Sequence, residues 1–472
     1  MKNQRFILLI PLMLVLFISA LDQTVVASSL SSIADAMGNT DQITWLTTAY
    51  LITSAVTTLI FGKLGDVLGQ KSMLIVSLSI FLIGSLACGN ASQLWVLVLS
   101  RAFQGIGGGG LSTLCMSVIG NLFSPRERSR YQGWIGIVPA LALVCGPFIG
   151  GFITDQLSWH WIFFINLPIG ILALVLIGVV LHLPKSSTKA KIDFLGALTI
   201  SISTASLLLN LSLAGHQWAF NSIQSFFLFT VFAVTLVSFI LIERRALAPI
   251  VPLHFFKSNP FTIAVIQFFI VTAAMFVFML LVPMYFQMDQ GYSASAAGST
   301  VIPLMLGVIL SSAVLGEWIT RTGKYKRYPA IGAVLIGGSA IMMSTLTSHS
   351  SVVVVALALF ISGAGQGAII QVALVAGQNA VSFDNIGAAT GALNFFKSLG
   401  GSFGSVIFSG LLADFARKNL HATPLAQNFG HTFLALIPLM LISFCLALLM
   451  KEKPLSDQMI KVAKGQEEVP EY

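Results

Sequence analysis

Asp22 is the one carboxylate that falls well inside a long apolar stretch of this chain. It closes the run RFILLIPLMLVLFISALD, in which every side chain from Phe6 to Leu21 is apolar or small, and apolar residues resume at Val25 and Val26. An acid in a membrane-length helix costs about 2.5–3.5 kcal/mol on insertion scales, so such a residue is rarely idle. A carboxylate in a partly dehydrated cavity can hold or release a proton near neutral pH, which is what a proton-coupled carrier needs. The blander readings are a side chain reaching back toward the membrane surface, or a static partner for Arg101. Asp22 lies sixteen residues past Phe6, about 24 Å of helix rise. That could place it near the outer boundary, but TVVASSLSS carries the helix further and a tilted helix can exceed the bilayer thickness.

Arg101 stands inside LSRAFQGIGGGG (99–110). With its guanidinium close, Asp22 is ionised; with a substrate or a conformational change between them, protonation becomes easier. The alternative is that Arg101 only ties the first and fourth helices together. Lys397 could be a second cavity charge, or a lysine snorkelling to the surface.

These groups need a membrane to position them. The 472 residues are 56% hydrophobic and 9% charged, with a mean hydropathy of +0.90; soluble domains are about a quarter charged. Apolar stretches of about 20 residues, each able to cross roughly 30 Å of hydrocarbon, recur along nearly the whole chain. They predict fourteen transmembrane helices, near 6–30, 44–62, 73–90, 94–119, 131–154, 161–182, 194–213, 225–242, 261–286, 295–316, 328–347, 351–377, 387–412 and 430–450. The first has too long an apolar core, and no small-residue cleavage site after it, to be a cleaved signal peptide.

Counting Lys and Arg loop by loop orients this layout. One side takes 21 of the 25, including Lys63, Lys71, Arg126, Arg128, Arg130, Lys185, Lys189, Lys191, Arg321, Lys324, Lys461 and Lys464. The other keeps Arg417 and Lys418, while Arg101 and Lys397 fall within spans. Both termini are therefore expected in the cytoplasm, in an inner or plasma membrane. The net charge of +8 reports topology and does not imply nucleic-acid binding. Cys88, Cys115, Cys145 and Cys445 lie far apart within spans without a CxxC, so neither a disulfide framework nor a zinc site is expected. No cofactor box occurs, and the spans offer no nucleophile, metal ligands or paired acids for an enzyme.

The loops leave no room for a soluble domain. The polar stretches 184–193 and 243–260 divide the spans into six, two and six. The expected organisation is a six-helix half (1–183), two extra helices with linkers (184–260), a second six-helix half (261–450) and a cytoplasmic tail (451–472). A repeat fits it: GKLGDVLGQK (62–71) between the second and third spans, and GEWITRTGK (316–324) between the tenth and eleventh. Two homologous halves around a midplane site is a common transporter plan. In the first copy Gly62, Gly65 and Gly69 allow a tight turn. Asp66 is placed to cap a helix N-terminus or to pair with a cation such as Arg126 or Arg130.

The pattern GxLxDxxGxK, ending here at Lys71, resembles the signature of the major facilitator superfamily. LSRAFQGIGGGG, with Arg101, Gln104, Gly105 and Gly107, resembles that family's RxxQGxG element. GWIGIVPALALVCGPFIGG (133–151) is similar to its antiporter motif: Ala142, Gly146 and Gly150 form one flat helix face for close packing, and Pro147 bends the helix. The family usually has Gly where Ala142 stands. LDQTVV (21–26) and WHWIFFINLPIG (159–170) resemble the fourteen-helix drug:proton antiporter branch, with His160 in place of an Arg. Ala27, Ser29 and Ser31 replace the branch's usual Asn, Ala and Pro. GAATGALNFFKSLGG (387–401) is similar to that branch's thirteenth span, with Lys397 where Arg is frequent. The resemblance covers about residues 6–450. It implies an all-α polytopic membrane protein with the major facilitator fold.

What the resemblance implies is a proton-coupled multidrug exporter working by alternating access, with Asp22 and Arg101 as the coupling pair. The conformational motif would be Gly62, Asp66, Gly69, Lys71, Arg126, Gly146, Pro147 and Gly150. Substrates would be small hydrophobic compounds, cations above all, since the chain's 35 Phe and 15 Met suit promiscuous binding. Met275 lies in one cluster of these, with Phe276, Phe278 and Met279. Tyr50, Gln104, Gln267, Gln371, Asn379, Asn394 and Lys397 are the polar candidates for substrate contact. The expected partners are these substrates, protons and the lipid bilayer, with a monomer as the family default. An exporter of one anionic amphiphile, such as a fatty acid or lipid, is the alternative, with Arg101 and Lys397 meeting its head group.

Overall fold

The computed structural model describes residues 2–38, 42–181, 183, 193–214, 217–418 and 425–455. Most of the basic loop 184–193, with Lys185, Lys189 and Lys191, lies outside them, as does the tail with Lys461 and Lys464. The described residues hold no strand beyond one isolated bridge between Ala214 and Trp218. Within hydrocarbon every backbone N–H and C=O must be satisfied internally, and a helix does this within one segment.

In chain order the helices are α1 (Lys2–Ser28), α2 (Leu30–Met37), α3 (Trp45–Leu68), α4 (Gln70–Gly89), α5 (Leu94–Leu122), α6 (Pro125–Gln156), α7 (Trp161–Phe164), α8 (Asn166–Val180), α9 (Phe194–Leu213) and α10 (Ile223–Glu243). They continue as α11 (Asn259–Met288), α12 (Ala294–Ser299), α13 (Ile302–Thr322), α14 (Arg327–Ser344), α15 (Val352–Asn379), α16 (Ile386–Lys418), α17 (Leu425–Leu434) and α18 (Ile437–Leu449). Thirteen spans among the described residues are long and apolar enough to cross a membrane. The fourteenth, predicted near 328–347, is α14. It is helical over 18 residues, but Arg327, Tyr328 and Pro329 open it, and Gly332, Gly337 and Gly338 thin its apolar surface.

The chain forms two compact units. The first comprises Met1–Leu122, Val138–Leu253 and Ser382–Phe395. In it α5 packs against α3 and α4, α1 lies on α5 and α8, and α9, paired with α10, leans on α3. The second comprises Phe123–Ile137, His254–Val381 and the described residues from Phe396 onward. There α15 packs against α13, α14 and α11, and α14 also meets α17 and α18. Small residues permit these close approaches: a Cβ on Gly107 of α5 would lie 2.5 Å from the Phe81 nitrogen of α4.

Three spans are broken in the same way. α7 gives way to α8 at Ile165, three residues before Pro168, α12 to α13 at Thr300 and Val301, before Pro303, and α17 to α18 at Ala435 and Leu436, before Pro438. A proline lacks the N–H that the preceding turn would use and clashes with its carbonyl.

Candidate functional site

The site lies within the first unit. Arg101 and Gln104 are three residues apart on α5 and so share a helix face. Around them α1 brings Asp22, α4 brings Ser85 and Cys88, α3 brings Tyr50, and the break between α7 and α8 presents Phe163 and Asn166. Asp22 and Arg101 are each only 1% exposed, and Gln104 and Asn166 are fully buried.

Arg101 Nη1 donates to Asp22 Oδ2 at 2.6 Å. Asp22 Oδ1 accepts from Gln104 Nε2 at 2.9 Å and from Asn166 Nδ2 at 2.8 Å. The same amides reach Ser85 Oγ, at 2.6 Å from Gln104 and 3.1 Å from Asn166. Gln104 Oε1 accepts from Arg101 Nη1 at 2.6 Å, and the Cys88 thiol lies 3.8 Å from that oxygen. The guanidinium sits 4.2 Å over the Tyr50 ring and 5.8 Å from the Phe163 ring, a cation–π arrangement that strengthens with desolvation.

The pair is neutral as a whole, which makes its burial tolerable; an unpaired buried charge is strongly destabilising. Three N–H groups converge on one carboxylate, an arrangement suited to the anion. Protonating it removes the charge that faces the Arg101 guanidinium. Arg101 Nε and Asn166 Oδ1 are buried without hydrogen-bond partners among the described residues. The surroundings thus already hold polar atoms to which a shifted partner can turn.

α6 braces this site. A Cβ on Gly150 would lie 3.1 Å from the Val25 carbonyl of α1, and one on Gly146 would run into Thr24. Thr24 Oγ1 lies 3.3 Å from the Ala142 carbonyl, and Ser29 and Thr154 hydroxyls meet at 3.0 Å. The flat face Ala142–Gly146–Gly150 therefore rests on the helix turns just past Asp22. α6 runs unbroken through Pro139 and Pro147.

The two repeated turns each hold the start of another helix. In the first unit Asp66 accepts the Gly387 and Ala388 N–H groups at the start of α16, both at 2.8 Å. That is the capping role expected of it, and the helix dipole favours an anion there. A Cβ on Gly62 would sit 2.5 Å from the Gly387 carbonyl, so only glycine allows this approach. Gly69 turns the chain between α3 and α4 with φ +94, and Lys71 Nζ donates to the Gly178 carbonyl at 2.9 Å. In the second unit Arg126 Nε donates to the Thr320 carbonyl at 2.6 Å, on the last turn of α13. Arg130 forms a bidentate pair with Glu317, at 2.5 and 2.7 Å, which Arg321 joins at 2.9 Å.

The polar substrate candidates fall in both units. Tyr50 and Gln104 belong to the Asp22 cluster. Gln267 is paired both ways with Ser443, at 2.7 Å each. Gln371 donates to the Ser129 carbonyl at 2.6 Å, and Asn394 to Thr113 Oγ1 at 3.2 Å. Asn379 is the last residue of α15 and faces the Lys453 and Pro454 carbonyls at 3.4 Å, so it holds the chain after α18. Met275 is half-buried on α11, and Lys397 is exposed on α16. Sequence reasoning missed Ser85, Cys88, Phe163 and Asn166 as members of the site. For Asn166 a signal existed: it is the one amide in WIFFINLPIGILALVLIGVV.

Residues 12–405 match the profile described as Major Facilitator Superfamily. The chain belongs to the Major Facilitator Superfamily. Among the described residues, the thirteen spans together with α14 agree with the fourteen-helix branch that its motifs resemble. It is 35% identical over 411 residues to the Multidrug transporter protein MdtP of Bacillus subtilis (strain 168), covering 87% of this chain and 76% of that protein. Multidrug resistance protein 3 of the same organism is 34% identical over 406 residues, covering 86% and 79% respectively. The crystal structure of the human organic anion transporter MFSD10 matches with a TM-score of 0.66 at 15% identity, covering 94% of this chain and 99% of that one. Major facilitators are transporters and not enzymes, and this one is a multi-pass membrane protein.

Proposed function

We propose that this protein exports hydrophobic compounds, cations among them, in exchange for protons by alternating access. Asp22 carries the proton and Arg101 modulates it. The observation behind this reading is the buried Asp22 carboxylate with Arg101, Gln104 and Asn166 converging on it. A proton arriving from outside takes the place of the Arg101 hydrogen bond, and its departure toward the cytoplasm restores that bond. The names of the relatives, a multidrug transporter and a multidrug resistance protein, support the substrate class.

On this reading both termini face the cytoplasm, the halves are 1–183 and 261–450 with 184–260 appended, and the protein acts as a monomer in a cell membrane. The 62–71 turn, with Asp66 on the start of α16, is the cytoplasmic latch. The test is ethidium uptake into inverted membrane vesicles under an imposed pH gradient. The gradient alone drives uptake and nigericin abolishes it; uptake indifferent to nigericin overturns the reading.

A second reading has one observation in its favour. Lys397 stands exposed within a span, where an ammonium would suit an anionic amphiphile such as a fatty acid or lipid.

A further inference from the structure

The described spans hold two positive charges far from their ends, and the two are treated differently. Arg101 is buried and neutralised by Asp22. Lys397, near the middle of the span Phe383–Phe415, is exposed and makes no hydrogen bond or ion pair among the described residues. Asp414 on the same helix is seventeen residues on, about 25 Å of rise, too far to compensate it. A mid-membrane ammonium against hydrocarbon is costly, and intramembrane charges almost always face a water-filled cavity, an interior or a ligand.

The surface beside Lys397 is aromatic. Gly400, Gly401 and Gly404 follow it three, four and seven residues on, so all four share one face of α16. These glycines admit α11 closely: a Cβ on Gly401 would lie 2.8 Å from the Phe276 ring, and one on Gly404 2.5 Å from the Ala273 carbonyl. Phe276 nevertheless remains 41% exposed. It lies over the turn after Lys397, about 6 Å further along the helix. Gly401, with no side chain, leaves room for the Phe276 ring one helical turn past Lys397.

We infer that Lys397 and Phe276 form a recognition site in the second unit for hydrophobic anions, the ammonium taking a sulfonate or carboxylate and the ring its apolar body. The inference rests on the second reading above and sharpens it. The two charges have separate tasks. Asp22 and Arg101 handle the proton in the first unit, and Lys397 selects the substrate's charge in the second. An anionic substrate bound there does not compete with the proton for Asp22.

The test is equilibrium binding to the full-length protein in nanodiscs, with no gradient, so that its result is independent of proton coupling. The probes are 8-anilinonaphthalene-1-sulfonate and its neutral counterpart N-phenyl-1-naphthylamine, each corrected for empty nanodiscs. A charge-assisted contact predicts that Lys397→Gln weakens the sulfonate by about tenfold while the neutral probe binds as before. Lys397→Arg retains the sulfonate. Equal sulfonate binding by native protein and Lys397→Gln overturns the inference, and so does native protein that binds no sulfonate. Retained binding of the neutral probe shows that Lys397→Gln is folded. If it does not fold, Phe276→Ala replaces it, its fold checked by thermal unfolding, with a loss expected for both probes and no change overturning the site.

Discussion

α5 and α15 occupy matching places in the two units and share a motif. Ser100-Arg101-Ala102-Phe103-Gln104-Gly105 in one reads Ser362-Gly363-Ala364-Gly365-Gln366-Gly367 in the other. The broken spans match as well: Phe163 and Asn166 before Pro168 correspond to Phe433 and Leu436 before Pro438. Both glutamines are fully buried, yet only Gln104 serves a charge. Gln366 donates to Ser362 at 3.0 Å, and its oxygen has no partner. Where the first unit has Arg101 and Asn166, the second has glycine and leucine. The packing plan therefore does not require the ionic cluster. A feature that one copy of a repeat does without, and that is costly to bury, is best explained by what it does.

Breaking the charged copy should have the largest effect. Arg101→Ala leaves the Asp22 carboxylate buried without its counter-ion and should lower stability by about 3–5 kcal/mol, read by thermal unfolding in detergent. In the quiet copy, Gln366→Leu removes an amide with an unpaired buried oxygen, so its stability should be equal or higher. Similar losses from both would erase the distinction.

The next contrast should instead come out even. Gly146 and Gly150 seat α6 on α1, and Gly400 and Gly404 seat α16 on α11 at Phe269 and Ala273. Gly146→Val and Gly404→Val should each cost about 1–3 kcal/mol by overpacking in the same unfolding assay. Only Gly146→Val should also perturb transport coupling, because it displaces α1 beside Asp22.

A smaller difference separates the two turns. Asp66→Ala uncovers two N–H groups at the start of α16 and should cost about 1 kcal/mol, as for other N-terminal caps. Glu317→Gln weakens a half-exposed pair and should cost less than about 1 kcal/mol. The reverse order would show the ion pair to be the stronger fastening.

The smallest effect concerns His160, stacked 3.7 Å from Trp159 where the matched residue of the second unit is Gly430. Burial lowers its pKa below the usual 6.5, so the unfolded chain takes the proton more readily. The neutral ring's contribution is present above the usual value and is lost as pH falls through the lowered one. His160→Gln should flatten that decline, measured as melting temperature against pH; an unchanged slope would remove the histidine from account.

Much of this was legible in the residues. Asp22 and Arg101 stand out because charge in an apolar run has few tolerable fates, and the structure pairs them at 2.6 Å. Asp66 was legible as either a cap or a cation partner, because an acid between turn glycines suits free N–H groups or a positive charge, and the structure shows the cap. Its target, the start of α16, was not: it lies 321 residues away, and no local pattern encodes that contact. Ser85 and Cys88 were hidden because small polar residues are ordinary in packed spans. Gln267 and Asn379 were legible for the opposite reason, and their partners were not. An amide within or ending a span suggests a ligand, while the structure satisfies it with Ser443 or with the chain after α18. α14 is helical where expected, but its arginine, proline and glycines make it the least apolar of the fourteen.

The most direct test of the coupling role is proton flux in proteoliposomes on adding ethidium, comparing native protein with Asp22→Asn. Ethidium binding is measured alongside, to show that the variant is folded. The account predicts substrate-triggered proton movement from the native protein and none from the variant, with ethidium still bound. Proton movement of equal size from Asp22→Asn would contradict it and leave the buried pair a structural tie.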